Sequence, residues 1–484
     1  MSKSNMRNKL PAFARSSRKA QAVLAMAALV AGVVGCSPNE ILEVEDIDVA
    51  QPQSVADSSA LPAVLAGAIG DFGNAYNGGG DFNQITLAGQ LADELYNTET
   101  FPTRIEVDQR RQQTTNGSLS GLFYATHQAR ASAQRAAEAF TKFAPTLVGH
   151  ATALDFGAMT YILFAENYCG SVPISRLTES GEFEYGSPLT TQQLLERAIA
   201  MADSALTIAT SGVGTAAVKL RETQFARLLK ARALLDLNRP ADAVTAIGGA
   251  ANIPTTFQYT YTHSELTARQ NNGTWGTTIS VGRFGVPDKE GRNGLPFLPE
   301  GDQAGTVKDP RVANLKRSNN GGRGFDNTTL QWMQEKYPVR AAAVTIGDGV
   351  EARLIEAEAA LRAGNYGGAG GTLEILNGLR SNNALLVLRG YVGSTFTALP
   401  PASTPAAQQD QFFKERAYWL YLTSHRLGDL RRLVTQYNRG AETVFPTGTY
   451  HKSGTYGTDV NSLVPQAEEN NPNFKRAECD VTKP

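Results

Sequence analysis

Paired carboxylates, histidines and glycine-flanked serines are the residues of this chain with most to offer chemistry. Asp93-Glu94 comes nearest to the two acids that a glycosidase uses. Adjacent residues on a helix point apart, however, so the two do not face one substrate. Glu356 and Glu358 meet the same objection and are expected to face solvent. Five histidines stand at His127, His150, His263, His425 and His451. None belongs to a His-Glu-x-x-His or Cys/His pattern, so their spacing supports no zinc site. Gly117-Ser118-Leu119-Ser120-Gly121 places leucine where a nucleophile elbow needs serine. Gly78-Gly79-Gly80 lacks the Lys-Ser/Thr of a phosphate loop and reads as a flexible turn. Arg426, Asp429 and Arg432, spaced by three, suit a structural ion-pair ladder on one helix. No catalytic group, cofactor or metal site emerges, and the chain is read as a non-enzyme.

What must position any site is a chain of 484 residues, too long for one simple core, so two lobes or a repeat array are expected. Its start is distinctive. Lys3, Arg7, Lys9, Arg15, Arg18 and Lys19 precede an apolar run from Ala22 to Val34, which ends in Val33-Val34-Gly35-Cys36. The run is too short for a mature membrane span, and small residues before a cysteine are the pattern of a bacterial lipobox. Residues 1–35 are therefore read as a signal peptide and Cys36 as the lipidated first residue of the mature protein. Removing those six basic residues from a total of 45 Lys+Arg leaves 39 against 46 Asp+Glu, or about −7. Such a body is a poor partner for nucleic acid. Only Cys169 and Cys479 then remain, in a compartment that tolerates disulfides. Two separate buried thiols and a disulfide are both compatible with this; the disulfide, stapling a loop-like tail, is the expectation.

The unit repeated along the body is clearest at Asp348 to Arg380. Asp348 with Glu351 reads as a capping box, and Val350, Leu354, Ala357 and Leu361 form one apolar stripe. Gly364 is the expected left-handed stop, after which Ala369, Leu373, Leu376 and Leu379 form a second stripe. Two such helices joined by a short turn make a hairpin of tetratricopeptide type, which needs neighbours of its own kind. Helical patterns also run over Leu61–Ile69, Leu119–Phe143, His150–Tyr168, Leu194–Ile208 and Phe225–Leu237, with a short helix from Ala241. A final long helix is expected over Phe412–Tyr437. Between Ala251 and Tyr337 helical periodicity gives way to Gly, Pro, Asn and Thr with single aromatics, Phe325 among them, which reads as ordered loops and short strands. The expected division is 1–35 signal peptide, 36–60 lipidated tether, 61–250 N-terminal helical repeats, 251–337 irregular ligand-face segment and 338–484 C-terminal helical part.

Several stretches resemble the SusD/RagB family of outer-membrane nutrient-binding lipoproteins. Phe164 to Ile174 (FAENYCGSVPI) is similar to that family's helix end and Tyr-Gly-x-Val-Pro turn, here with Cys169 before Gly170. Phe225–Ala241 and Glu351–Asn377 look like its repeat hairpins. Glu415-Arg416, His425-Arg426 and Asp429-Leu430-Arg431-Arg432 resemble its C-terminal signature, although Trp419, Thr423 and Leu427 depart from the usual acids and tryptophan. Val464-Pro465-Gln466-Ala467-Glu468 and Asn471-Pro472-Asn473 resemble its closing segment. The resemblance implies a mainly α fold of tetratricopeptide-like hairpins with an irregular loop and short-strand ligand face. It also implies an outer-membrane protein facing the cell exterior, passing a glycan or a peptide to a SusC-like TonB-dependent barrel transporter. An extracytoplasmic glycan hydrolase with an unrecognised carboxylate pair is the alternative, and a purely structural scaffold a third reading.

Loops outside the hairpins are free to carry function, and two are rich in aromatics beside amides and acids. Trp275, between Gly273 and Gly276, is the first candidate to stack on a ligand, because flanking glycines allow a ring to project. Tyr76, Tyr96, Phe101, Tyr259, Tyr261 and Phe284 follow, with Asn77, Asp81 and Asn272 as polar partners. The anchor is testable at once. Cys36→Ser is expected to lose lipid label and leave the membrane fraction; a labelled, membrane-bound variant would refute the reading.

Overall fold

The computed structural model describes residues 57–80, 82–178, 182–298, 309–391 and 396–484. The signal peptide, Cys36, most of the tether and Asp81 lie outside them. Helices appear where apolar spacing and caps coincide: α1 Leu61–Asn77, α2 Gln84–Leu91, α3 Pro102–Asp108, α4 Gly117–Phe143, α5 Val148–Asn167, α6 Thr191–Ser211, α7 Ala216–Asp236 and α8 Pro240–Ile247. Asn116 caps α4, Thr190 and Gln193 form a full capping box on α6, and Thr215 caps α7. Sequential helices pack on one another from α4 to α8. Alanines at 129, 133 and 136 of α4 and at 198, 202 and 205 of α6 are fully covered, so these helices approach closely. At Gly157 of α5 a methyl group would stand 2.2 Å from the Met201 side chain of α6. Nearly every residue of α5 is buried, as expected for a helix apolar on all sides.

Among the described residues, ten short strands pair as five antiparallel two-stranded ribbons: β1 Tyr96–Asn97 with β7 Phe284–Gly285, β2 Val172–Pro173 with β5 Pro188–Leu189, and β3 Arg176–Leu177 with β4 Phe183–Glu184. The others are β6 Gln258–Tyr261 with β10 Val344–Asp348, and β8 Asn314–Lys316 with β9 Trp332–Gln334. The irregular segment is thus laced by β7 to the N-terminal helices and by β6 to the hairpin that follows it. Mainly α architecture with short strands in the loops is the fold class read from the sequence.

That hairpin consists of α9 Gly349–Arg362 and α10 Thr372–Ser381, followed by α11 Asn383–Leu388. Asp348 accepts the Glu351 N–H at 2.7 Å, and Gly364 takes φ +75°. Only half of the expected capping box is made, because the Glu351 carboxylate turns inward to His425, 3.1 Å away. The single helix expected over Phe412–Tyr437 is two: α12 Pro405–Trp419 and α13 Arg426–Thr435. Leu422 and Ser424 between them adopt φ +51° and +61°. Distant side chains satisfy the backbone of this break. Glu94 accepts the Leu422 N–H at 2.9 Å, Tyr337 donates to the Leu422 carbonyl at 2.8 Å, and Tyr76 to that of Thr423 at 2.7 Å. Local propensity favours one helix; these long-range bonds favour two.

Buried ion pairs join the parts. Arg232 of α7 grips Glu166 of α5 with two bonds of 2.6 Å and lies 3.8 Å from Glu351 of α9. Arg416 holds Asp429 at 2.8 Å, and Arg432 reaches Asp429, Glu358 and Asp236, each at 2.9 Å. Glu358 is therefore fully buried rather than solvent-facing, and Glu356 is half-buried beside Arg353. Asp429 and Arg432 do pair on one helix, whereas Arg426 leaves the supposed ladder for Asp93, 2.6 Å away. Burial opposes ionisation of Glu166, Glu351 and Asp429, yet neighbouring cations outweigh it and all three carboxyls sit below their ordinary range. Removing one partner strands a charge in the core. Arg232→Ala is expected to lower the unfolding free energy by about 3–5 kcal/mol in a denaturant titration.

Cys169, just after α5, forms a disulfide with Cys479, their Cα atoms 5.1 Å apart. It closes a separation of 310 residues and binds the tail to the end of the central helix. Non-reducing peptide mapping should recover the linked pair. The double variant Cys169→Ser/Cys479→Ser should lose about 2–5 kcal/mol of stability.

Candidate ligand-binding face

Three backbone segments meet beside α3. Past the β1–β7 pairing, the Thr98 N–H donates to the Arg283 carbonyl at 2.8 Å. The Phe325 N–H donates to the Gly282 carbonyl at 2.8 Å, and the Asp326 N–H to that of Thr98 at 2.9 Å. Gly324 is required here, since a Cβ would lie 2.5 Å from the Thr98 side chain and 2.8 Å from the Gly282 carbonyl. The lacing brings Phe101, at the N-cap of α3, within 6.3 Å of Phe325 between ring centroids. Each ring remains 42 % exposed, so both present apolar surface to solvent.

A buried carboxylate braces the pair. Glu99, wholly covered, accepts from Arg104 at 2.8 Å and from Arg283 at 2.9 Å. The Arg283 guanidinium lies 4.7 Å from the Phe101 ring and 4.9 Å from the Phe325 ring, and Arg104 sits 4.6 Å from Phe101. Lys452 from the C-terminal tail donates to the Glu99 carbonyl at 2.9 Å and pairs with Asp326. Burial works against the Asp326 charge, but Lys452 and the Thr328–Thr329 donors win and hold it down to about 2. Asp326 thus stays ionised, and its loop stays folded. Half-buried Tyr96 donates to the Leu330 carbonyl and meets His451 edge-on at 5.2 Å. The result is two rings on a stiff platform with a cation between them and exposed Asn327 and Thr328 alongside. Such a surface stacks on flat apolar faces and bonds hydroxyls at its rim.

Of the residues singled out from sequence, Phe101 and Tyr96 belong to this platform. Tyr76, Tyr259 and Phe284 do not: they are 1 %, 5 % and 0 % exposed. Tyr76 ties down the helix break, Tyr259 stacks on Phe225 at 3.9 Å and bonds Glu222, and Phe284 fills the core behind β7. Asn77 and Asn272 are buried too. The first accepts from the Thr274 N–H at 3.0 Å, and the second caps Trp275 while donating to the Ala342 carbonyl. Tyr261 is half-buried, its ring standing where a Cβ on Gly73 would fall, 1.9 Å away. Trp275 is half-buried against the core with Arg340 5.2 Å from its ring. Gly273 does not project it: a Cβ there would meet the Gly78 carbonyl at 1.9 Å, so that glycine serves a close backbone contact. Sequence reasoning passed over Phe325 and Arg283. The local signal for Phe325 is a lone ring in Asn319-Asn320-Gly321-Gly322-Arg323-Gly324-Phe325-Asp326-Asn327, the pattern that also marks Trp275.

The acid pair considered for catalysis is committed elsewhere. Asp93 holds Arg426 and accepts the Leu295 N–H at 2.9 Å, while Glu94 faces Leu422 and burial pushes it up to about 8. A different set, Asp108, Glu290 and His451, gathers beneath the platform from three segments, with one ligand atom of each within 4.8 Å of the others. No spacing in the sequence announces it.

No protein-family model matches the sequence, and no curated protein does either. Solved structures do match. A SusD-like carbohydrate-binding protein from Bacteroides fragilis is 14% identical, with a TM-score of 0.59 over 87% of this chain and 99% of its own. A SusD-superfamily protein from Parabacteroides distasonis is 12% identical, with a TM-score of 0.59 over 86% and 98%. A chitin-binding protein is 13% identical, with a TM-score of 0.55 over 83% and 93%. The fold is therefore SusD-like along most of the described chain. Among the described residues no helix is long and apolar enough to cross a membrane.

Proposed function

We propose that this chain is an outer-membrane lipoprotein that binds a glycan and delivers it to a SusC-like TonB-dependent transporter. The observation that carries the reading is the exposed Phe101–Phe325 pair, held rigid by Arg283 and buried Glu99. Preorganised rings lose little entropy on binding, and the C–H faces of a pyranose match their apolar surfaces. The SusD-like fold supports it, as do the carbohydrate-binding and chitin-binding descriptions of two similar structures. Delivery and anchoring rest on the lipobox pattern at Cys36 and on the sequence resemblance. A peptide is the competing ligand, since apolar side chains stack on the same rings. Binding without turnover is part of the proposal.

A glycan and peptide array on the detergent-solubilised full chain, followed by calorimetry on the best ligand, tests it. Phe101→Ala/Phe325→Ala is expected to weaken glycan binding about thirtyfold or more, while the melting temperature changes little. Undiminished affinity, a preference for peptides, or release of shorter sugars would overturn the respective part.

A further inference from the structure

Asp108 at the end of α3, Glu290 after β7 and His451 in the tail converge, with the two carboxylates buried and the histidine at the exposed edge. Asp108 is 1 % exposed and Glu290 7 %. Each carboxylate spends one oxygen on donors around it. Asp108 Oδ2 accepts from the Tyr450 hydroxyl at 2.6 Å and the Asn97 N–H at 2.9 Å, and Glu290 Oε1 from the Tyr456 hydroxyl at 2.9 Å. The remaining oxygens, Asp108 Oδ1 and Glu290 Oε2, are buried and meet no donor. Buried acceptors left in this state are costly, and two carboxylates side by side more so.

The histidine adds an independent sign. His451 Nε2 lies 2.7 Å from the Asn97 carbonyl, which offers only lone pairs, so the ring proton sits on Nε2. Nδ1 then turns a lone pair towards Asp108 Oδ2, 4.0 Å away, too far for a hydrogen bond. Three electron-pair donors surround one point, each oriented from behind by a hydroxyl or a carbonyl. That is the supporting shell typical of metal-binding imidazole and carboxylate.

We propose that Asp108, Glu290 and His451 bind a divalent first-row transition cation, zinc being the best match. A doubly charged ion neutralises the two carboxylates and satisfies the orphaned oxygens. One imidazole nitrogen among the donors favours zinc over calcium or magnesium, which take oxygen ligands. The ion would clamp the tail to α3 and to the loop after β7, directly under Tyr96 and one residue from Lys452 of the platform. This inference does not rest on the glycan reading.

The test strips the detergent-solubilised full chain with EDTA and titrates it with zinc chloride, and with calcium chloride in parallel, by calorimetry and thermal melting. One zinc per chain with a raised melting temperature is expected. Glu290→Gln and His451→Ala should each weaken binding at least tenfold. Glu290→Gln is chosen because its amide can donate to Asp108 and keep the fold, which melting of the stripped variant checks. No saturable zinc binding by the stripped wild type would overturn the proposal, leaving the two acids to share a proton. Binding of calcium in preference to zinc, or folded variants that bind zinc like the wild type, would overturn it equally.

Discussion

Arg232 is 2 % exposed and stands between Glu166 and Glu351, so it joins α7 to α5 and α9 through one guanidinium. Helices with alanine-rich faces slide past one another at little cost, because small apolar contacts look alike in neighbouring registers. A bidentate ion pair in a low-dielectric core tolerates no such slip. The network continues from Glu351 to His425, and separately from Asp429 and Glu358 through Arg432 to Asp236. Its net contribution against an apolar replacement is small, since desolvation offsets attraction. What it supplies is alignment: α5, α7, α9 and α13 sit in the arrangement that gives Arg232 and Arg432 their carboxylate partners.

That alignment sets the break between α12 and α13. With His425 held at Glu351 and Arg426 at Asp93, the chain must turn through Leu422 and Ser424 in left-handed conformations. Non-glycine residues adopt such angles at a cost of roughly 1 kcal/mol each. Hydrogen bonds from Glu94, Tyr76 and Tyr337 compensate for it. Two of the aromatic residues that look most like binding groups in the sequence, Tyr76 and Tyr259, are consumed by polar bonds in the interior.

The aromatic platform follows the same rule on a smaller scale. Glu99 is buried and fully paired, and its two arginines hold the exposed rings in place. A ring that is free to rotate forfeits part of its binding energy to ordering; a ring already braced by a guanidinium does not. The tail approaches from the opposite side through His451 and Lys452, and it is tethered further along by the Cys169–Cys479 bond. Platform, tail and central helix are thus mechanically continuous.

Much of this was open to a reader of the residues alone. Helices α4 to α7 and α9, the Asp348 cap, the stop at Gly364 and the irregular texture of 251–337 are written in local spacing. Helical hydrogen bonds span four residues, and the code for them is equally short. Which rings face solvent is another matter. Phe284 and Phe325 both sit in glycine-rich stretches, yet one is fully buried within β7 and the other is exposed beside Phe101. The helix break at 420–425, the inward turn of Glu351 and Glu358 and the meeting of Asp108, Glu290 and His451 depend likewise on partners far away in the chain. Burial and charge pairing are properties of the neighbours that the fold brings, and only the tertiary structure names those neighbours.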